Sequence, residues 1–179
     1  MEFLTRFRFL IGFAFVLALN VRAAPPSPNE YSLKAAFLYN VVRFVDWPNS
    51  AFSARGEPLV IGIVGSDPFG PLLYETITGE TYKGRPITVA HFAGPGEIGR
   101  CHLLFVGATN RDRLDEILAK VWGRNVLTVG ETERFLDHGG MIALTAYKNR
   151  VHLQINAATL RSSQLTVSSK LLQVAQIRY

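Results

Sequence analysis

The chain has 179 residues, which is the length of a single domain. Its residues are 48% hydrophobic and 18% charged, a composition that excludes a disordered chain and predicts a folded globular one. The net charge of +5 is spread along the sequence with no run of Lys and Arg, and no nucleic-acid-binding motif accompanies it. Nucleic acid is therefore not expected as a partner.

The first 23 residues have the order of a secretory signal peptide. Arg6 and Arg8 precede an uncharged apolar run at residues 9–19, and Ala23 ends a small-residue cleavage site. The alternative is a membrane anchor, but eleven residues at about 1.5 Å each cover only about half of a hydrocarbon core. We expect cleavage after Ala23, which removes three arginines and one glutamate and lowers the net charge to +3.

Residues 24–30 are predicted to be a linker, and residues 31–179 a single domain. A helix start falls at their junction, with Ser27 as the cap, Pro28 at the first helical position and Glu30 completing a capping box. Apolar residues then recur at helical spacing until Trp47 and Pro48 stop the helix. These residues are Leu33, Phe37, Val41 and Phe44, flanked by Leu38, Val42 and Val45.

Strand and helix patterns alternate through the middle of the chain. Apolar runs predict strands at residues 59–64, 87–92, 101–106 and 126–129, with helices at 72–77 and at 111–122, the latter capped by Asn110. An antiparallel hairpin follows at 141–147 and 150–155, and then two short helices at 157–160 and 169–175. The pattern predicts an α/β, Rossmann-like fold: a mostly parallel central sheet, helices on both faces, and a C-terminal antiparallel hairpin.

A crevice near Ser66 and Asp67 is a candidate ligand site. The two residues follow the first predicted strand, and open α/β sheets bind ligands at the carboxyl ends of strands. The segment nevertheless lacks the Gly-Lys-Ser/Thr ending of a phosphate loop and the glycine pattern of a dinucleotide fold. Pro68 removes one N–H donor and Asp67 would repel an anion. An ordinary capped turn is favoured, and a small-molecule site is the alternative.

No known catalytic constellation is present. The four histidines (His91, His102, His138 and His152) form no metal-binding pair, and no second cysteine supports a zinc site. The sequence therefore predicts a binding protein without metal or cofactor, and a hydrolase with an unfamiliar site is a further alternative.

Cys101 is the only cysteine, so it can form no disulfide within the chain. Exported proteins usually pair their cysteines or have none. We expect Cys101 to be a buried, inert residue, because free cysteine is among the most buried residue types. The alternative is an unpaired thiol whose partner lies in another molecule.

Several short motifs occur in an order that resembles one family of bacterial periplasmic proteins, the YfiR-like family. The similarity runs from about Tyr31 to Ile177. The motifs are KAAFLYNVVRFVDWP at 34–48, GSDPFG at 65–70, GRPI at 84–87, CHLLFV at 101–106, VLTVG at 126–130, GGMI at 139–142, VHLQIN at 151–156 and SSKLL at 168–172.

The resemblance implies a periplasmic regulator. The founding member represses an inner-membrane diguanylate cyclase by binding its periplasmic sensing domain, which lowers cyclic-di-GMP and biofilm formation. A related sensor kinase is another partner to consider. The resemblance further implies sequestration by an outer-membrane lipoprotein, and homodimers.

One departure concerns cysteines. Better-known members carry a cysteine where this chain has Gly62, to pair with the one that matches Cys101, and a second pair near the hairpin has no counterpart here. Redox control through a disulfide is therefore not carried over to this chain.

The C-terminal segment is the predicted partner surface. Its apolar residues are too many to be buried on one face of a sheet, and exposed apolar patches mark interaction sites. Arg178 would lie at the polar rim. A dimer contact or packing in the core is the alternative. The residues proposed for partner binding are Leu165, Val167, Leu172, Ile177 and Arg178.

Overall fold

A computed structural model describes residues 28–148 and 150–179. The predicted signal peptide, its cleavage site and the Ser27 cap lie outside the described residues. The helices are α1 (Pro28–Phe44), α2 (Pro71–Ile77), α3 (Leu114–Val121), α4 (Arg134–Asp137), α5 (Ala157–Ser162) and α6 (Ser169–Val174). The strands are β1 (Val45–Asp46), β2 (Leu59–Val64), β3 (Thr81–Tyr82), β4 (Arg85–Phe92), β5 (Leu103–Val106), β6 (Leu127–Gly130), β7 (Ile142–Tyr147), β8 (Arg150–Asn156), β9 (Thr166–Val167) and β10 (Gln176–Arg178).

The central sheet has the strand order β10-β8-β7-β6-β5-β2-β4-β3. Strands β4, β2, β5, β6 and β7 are parallel, β7 and β8 form the predicted antiparallel hairpin, and β10 adds parallel to β8. Strands β1 and β9 form a separate antiparallel pair. The predicted fold class is confirmed: the sheet is mostly parallel and the antiparallel hairpin is C-terminal.

Helices cover both faces because side chains alternate along each strand. In β5, Leu103 and Phe105 point into the core shared with α1, α2 and α6. Leu104 and Val106 point into a second core beneath α3 and α4. A strand buried on both faces needs a continuous apolar run, and this is why β2 and β5 could be located from the sequence.

Helix α1 begins and ends close to where its sequence predicts, but its buried face differs from the predicted one. Leu38, Val41 and Val42 are fully buried, whereas Leu33 is 38% exposed. Lys34 is buried instead, with 2% of its surface exposed. The face of α1 that packs on the sheet therefore includes the charged Lys34, which can be buried because it pairs with the buried Glu131.

The prediction that Asn110 caps a helix at residues 111–122 is wrong. A 3₁₀ turn spans Ala108–Arg113, and α3 begins only at Leu114. The Asn110 side chain points inward, where its amide donates a hydrogen bond of 2.9 Å to the carbonyl oxygen of Val64. The Asn110 side chain satisfies the buried Val64 carbonyl at the end of β2, so it is not available to cap the helix.

His102 joins the segment after α1 to the start of β5. It is 1% exposed, its Nδ1 accepts the backbone N–H of Val60 at 3.0 Å, and its Nε2 lies 3.2 Å from the Ala51 carbonyl oxygen. The ring stacks on Phe52 with centroids 4.4 Å apart. An accepting Nδ1 places the proton on Nε2, so the ring is neutral, and burial lowers the pKa of His102.

Candidate functional site

The strand order places a topological switch point between β2 and β5. From β2 the chain continues to β4 on one side, and from β5 it continues to β6 on the other. Ligands of open α/β sheets bind outside the carboxyl ends of the strands at such a point. Ser66 follows β2 at this edge, and Gly107 follows β5.

A buried ion pair occupies this edge. The ammonium Nζ of Lys34 lies 2.7 Å from Oε2 of Glu131, and the two side chains are only 3% and 6% exposed. The other carboxylate oxygen accepts the backbone N–H of Ala108 at 2.6 Å, and the hydroxyl of Tyr31 donates to Oε2 at 3.2 Å. Lys34 has a second carboxylate partner in Glu30, 2.6 Å away.

The two oxygens of Glu131 are thus both satisfied by the chain itself. Burial, and then the charge of Glu131, raise the pKa of Tyr31, so its phenol stays neutral and acts as a donor. Asn110 fills the neighbouring space: a Cβ at Gly65, whose φ is +77°, would lie 2.9 Å from the Asn110 side-chain oxygen.

Ser66 and Asp67 lie at the outer rim of this edge. Asp67 makes the capped turn that the sequence favours, since its Oδ1 accepts the backbone N–H of Phe69 at 2.8 Å. Its other oxygen is 3.9 Å from Nε2 of His91, and that nitrogen lies 2.8 Å from the hydroxyl of Tyr74. A small-molecule site at Ser66 and Asp67 stays a prediction, and a ligand entering deeper would have to displace the side chains around Glu131.

The C-terminal residues form a second candidate site, at the margin of the sheet that β10 occupies. We define the tail surface as Leu172, Val174, Ile177, Arg178 and Tyr179. Three of its side chains are well exposed: Leu172 by 38%, Val174 by 70% and Tyr179 by 92%. Tyr179 lies beneath the guanidinium of Arg161, with 5.8 Å between the guanidinium carbon and the ring centroid.

The structure separates the residues predicted to bind a partner. Leu165 is 7% exposed and belongs to the core, and Val167 pairs with Val45 in the two-stranded sheet. Ile177 is half-buried opposite Ile155 in β8. Leu172 and Arg178 face solvent.

Arg178 forms an exposed ion pair with Asp137, with Nη2 and Oδ1 3.2 Å apart. Strand β10 lies at the margin of the central sheet, next to β8. The tail surface therefore combines apolar side chains, an arginine and a marginal strand.

Sequence reasoning missed the exposure of Trp122. It follows α3 directly and is 64% exposed beside a cavity of about 130 Å³. The sequence pattern predicts Trp122 as the last residue of the helix at 111–122. Its signal was its position before Gly123, where a helix ends and its last side chain can turn outward.

Cys101 is buried, as predicted, with 5% of its surface exposed. Burial raises the pKa of its thiol to about 11. Gly62 lies against it: a Cβ built at Gly62 would be 3.1 Å from the Cβ of Cys101. Position 62, where the resemblance implies a cysteine in other members, is thus adjacent to Cys101 in space.

Within residues 28–148 and 150–179, no three His, Cys, Asp or Glu side chains are grouped so that they could hold a metal ion. Over the same residues, no helix has both the length and the apolar character needed to cross a bilayer.

The fold is that of a doubly wound α/β protein. Lys34 and Glu131 occupy the switch-point edge, and the C-terminal segment exposes apolar side chains. The sequence profile of DUF4154, described as YfiR/HmsC-like, matches residues 31–176, and the chain belongs to this family. The family points to a periplasmic regulator of diguanylate cyclase signalling. No curated protein matches the sequence.

Two solved structures share the fold. A conserved domain protein from Vibrio cholerae O1 biovar El Tor strain N16961 aligns with a TM-score of 0.56 and 10% identity, over 82% of this chain and 59% of its own. The ABC domain in complex with L-Trp from Streptococcus pneumoniae aligns with a TM-score of 0.51 and 10% identity, over 67% of this chain and 55% of its own. The chain thus spans little more than half of either protein, and the likeness extends to the fold alone.

Proposed function

We propose that the protein represses a membrane-bound diguanylate cyclase by binding the periplasmic sensing domain of that enzyme. The observation that carries the proposal is membership of the YfiR/HmsC-like family over residues 31–176. At the switch-point edge, Lys34 and the backbone N–H of Ala108 already contact the two carboxylate oxygens of Glu131, which agrees with a structural role for these side chains in a protein that binds a partner.

The tail surface is our proposed contact with the cyclase. Leu172 and Val174 offer apolar area, and Tyr179 is an aromatic side chain of the type enriched at interfaces. Arg178 and Arg161 place positive charge around these groups. The complementary surface on the cyclase is therefore apolar at its centre, with acidic residues at its rim.

Strand β10 offers a second kind of contact. It pairs with β8 through residues 176–178, and it ends the strand order of the described sheet. Backbone groups on the outer side of a marginal strand can pair with an extended segment of another protein. An extended segment of the sensing domain added beside Ile177 would lie next to Tyr179.

The test uses two leucines that are equally exposed. Leu172 and Leu33 are both 38% exposed, but only Leu172 lies on the tail surface. In the native bacterium, deletion of the gene should raise cyclic-di-GMP, and wild-type protein should restore the low level. Leu33→Glu should restore it as well, whereas Leu172→Glu and Val174→Glu should not.

Each variant must accumulate in the periplasm with an unchanged melting temperature for the comparison to count. Full repression by a folded Leu172→Glu, Val174→Glu double variant would remove the tail surface from the proposal. Unchanged cyclic-di-GMP after deletion of the gene would overturn the proposed function itself.

Two further partners follow from the same proposal. We propose that the protein is a homodimer and that an outer-membrane lipoprotein sequesters it from the cyclase. Sedimentation of the processed chain tests the dimer, and capture of a lipoprotein by the tagged protein tests the sequestration. Sequencing of the N-terminus of periplasmic protein tests export, with Ala24 as the expected first residue.

A further inference from the structure

The exposed indole of Trp122 lies at the amino ends of the parallel strands, because α3 precedes β6, whereas Glu131 follows the carboxyl end of β6. The backbone N–H of Trp122 closes α3 by donating to the carbonyl oxygen of Leu118 at 3.1 Å. Gly123 then turns the chain with φ +73°. The indole is 64% exposed, and a cavity of about 130 Å³ opens beside it, between the end of α3 and α5.

The lining of this cavity is uncharged throughout. One part is apolar and consists of Leu118, Val121, Val126, Met141 and the indole. The other part carries hydroxyls and amides, from Asn125, Thr128, Thr159, Ser162 and Gln164. Two ionisable side chains of this region, Asp115 and His138, line a neighbouring cavity that Trp122 also borders, and they pair with each other at 2.6 Å.

The polar groups of the lining keep hydrogen-bonding capacity. The hydroxyl of Thr128 accepts the backbone N–H of Met141 at 3.0 Å, so its own hydrogen can be donated. The hydroxyl of Ser162 donates to the Thr159 carbonyl oxygen at 2.7 Å, and its lone pairs can still accept. The amides of Asn125 and Gln164 each supply two N–H donors and a carbonyl acceptor.

These features select the chemistry of a ligand. A charged molecule would lose its hydration without gaining a partner of opposite charge. A wholly apolar molecule would cover hydroxyl and amide groups and leave them unsatisfied. The ring of a neutral sugar avoids both costs, because it has an apolar face for the indole and hydroxyl groups around its rim.

We infer that the cavity beside Trp122 binds one ring of a neutral sugar, with the apolar face of the ring against the indole. The inference does not depend on the proposed function, since it rests on the cavity alone. Site-specific detection is possible because the other tryptophan is shielded. Trp47 is 5% exposed, and its indole N–H donates to the His102 carbonyl oxygen at 3.0 Å.

The experiment titrates the chain, without residues 1–23, with glucose and with N-acetylglucosamine while tryptophan fluorescence is recorded. We expect saturable change with a dissociation constant of about 1–10 mM, which is a weak affinity suited to a single open cavity. The change should persist in Trp47→Phe and disappear in Trp122→Phe. Glucuronate, which adds a carboxylate, should bind at least tenfold more weakly.

Calorimetry of Trp122→Ala and Gln164→Ala provides a readout that needs no indole, and both should bind at least tenfold more weakly than wild type. Gln173→Ala is the matched control, because Gln173 is exposed on α6 and does not line the cavity. If neither glucose nor N-acetylglucosamine binds at about 100 mM, ten times the largest dissociation constant expected, the inference is overturned. Undiminished binding to both alanine variants, or equal binding of glucuronate, would overturn it as well.

Discussion

The ammonium of Lys34 lies 2.7 Å from the carboxylate of Glu131, and more than nine-tenths of each side chain is buried. The pair joins α1 to the chain segment that follows β6, next to the carboxyl end of β5. Removal of one partner from such a pair leaves an uncompensated charge in the interior, which costs far more than the pair itself contributes.

We therefore predict that Lys34→Met lowers the free energy of unfolding by about 3–5 kcal/mol. The matched control is Lys83→Met. Lys83 pairs with Asp46 at 2.6 Å, but both of those side chains are 62% exposed. Its removal should cost at most about 1 kcal/mol, because water screens the pair. Urea unfolding measures both, and equal losses in the two variants would contradict the prediction.

A second prediction concerns pH. Burial lowers the pKa of His102 in the folded protein below its ordinary value of 6.5. The unfolded chain then binds a proton more readily than the folded one, so stability is complete above about pH 6.5 and falls as the pH drops below it. The slope contributed by one histidine is at most about 1.4 kcal/mol per pH unit.

His102→Asn removes the titrating group while keeping an oxygen that can accept the Val60 N–H. Its free energy of unfolding should vary less between pH 6.5 and pH 5 than that of the wild type. His152→Asn is the control and should keep the wild-type slope, since His102 is unchanged in it. Identical slopes in wild type and His102→Asn would show that another group titrates.

The third prediction concerns the thiol of Cys101. Thiolate is the reactive form, and burial both raises the pKa of Cys101 to about 11 and blocks access to the sulfur. Labelling of native protein with a thiol reagent at pH 7.5 should be slower by orders of magnitude than labelling in urea. Fast labelling of the native state would restore an intermolecular disulfide as a possibility to test.

A fourth prediction uses the contact between Gly62 and Cys101. Bonded cysteines have Cβ atoms about 3.5–4.5 Å apart, and a Cβ at position 62 would start 3.1 Å from that of Cys101. Gly62→Cys should therefore form a disulfide with Cys101 on oxidation. The ring of Phe92 must move, because one of its carbons lies 2.7 Å from the new Cβ.

Thiol counting checks this outcome, and Gly62→Cys combined with Cys101→Ala is the control. The oxidised variant should unfold at a higher urea concentration than its reduced form. The bond closes a loop of roughly 40 residues, for which chain entropy alone gives about 4 kcal/mol before strain at Phe92 is subtracted. Two free thiols after oxidation would refute the prediction.

Elements defined by a local pattern were predictable from the sequence. The run LVIGIV gave β2 with both ends correct, and the alternation of strands with helices gave the parallel sheet. Elements defined by distant partners were not. Lys34 looks like a surface residue until Glu131 is placed 2.7 Å from it, although 97 positions separate them in the chain.

The same reason explains the error at Asn110. Its side chain fits the pattern of a helix cap, but the carbonyl oxygen that it binds belongs to Val64, 46 positions away. Strand β10 was not predicted, because it depends on pairing with β8, which no local pattern reveals. For Trp122, the following Gly123 marked the helix end, but the exposure of the indole depends on the chain that packs beside it.

Helix α5 is six residues long and has a different neighbour on either side. Thr159 and Ser162 line the cavity beside Trp122, while Arg161, between them in sequence, lies against Tyr179 of the tail surface. A sugar that displaced this short helix would therefore move a group in the proposed contact with the cyclase. Thermodynamic linkage then requires reciprocity: sugar and cyclase would change each other's affinity by the same factor, and the repressor would report a small molecule to the enzyme it restrains.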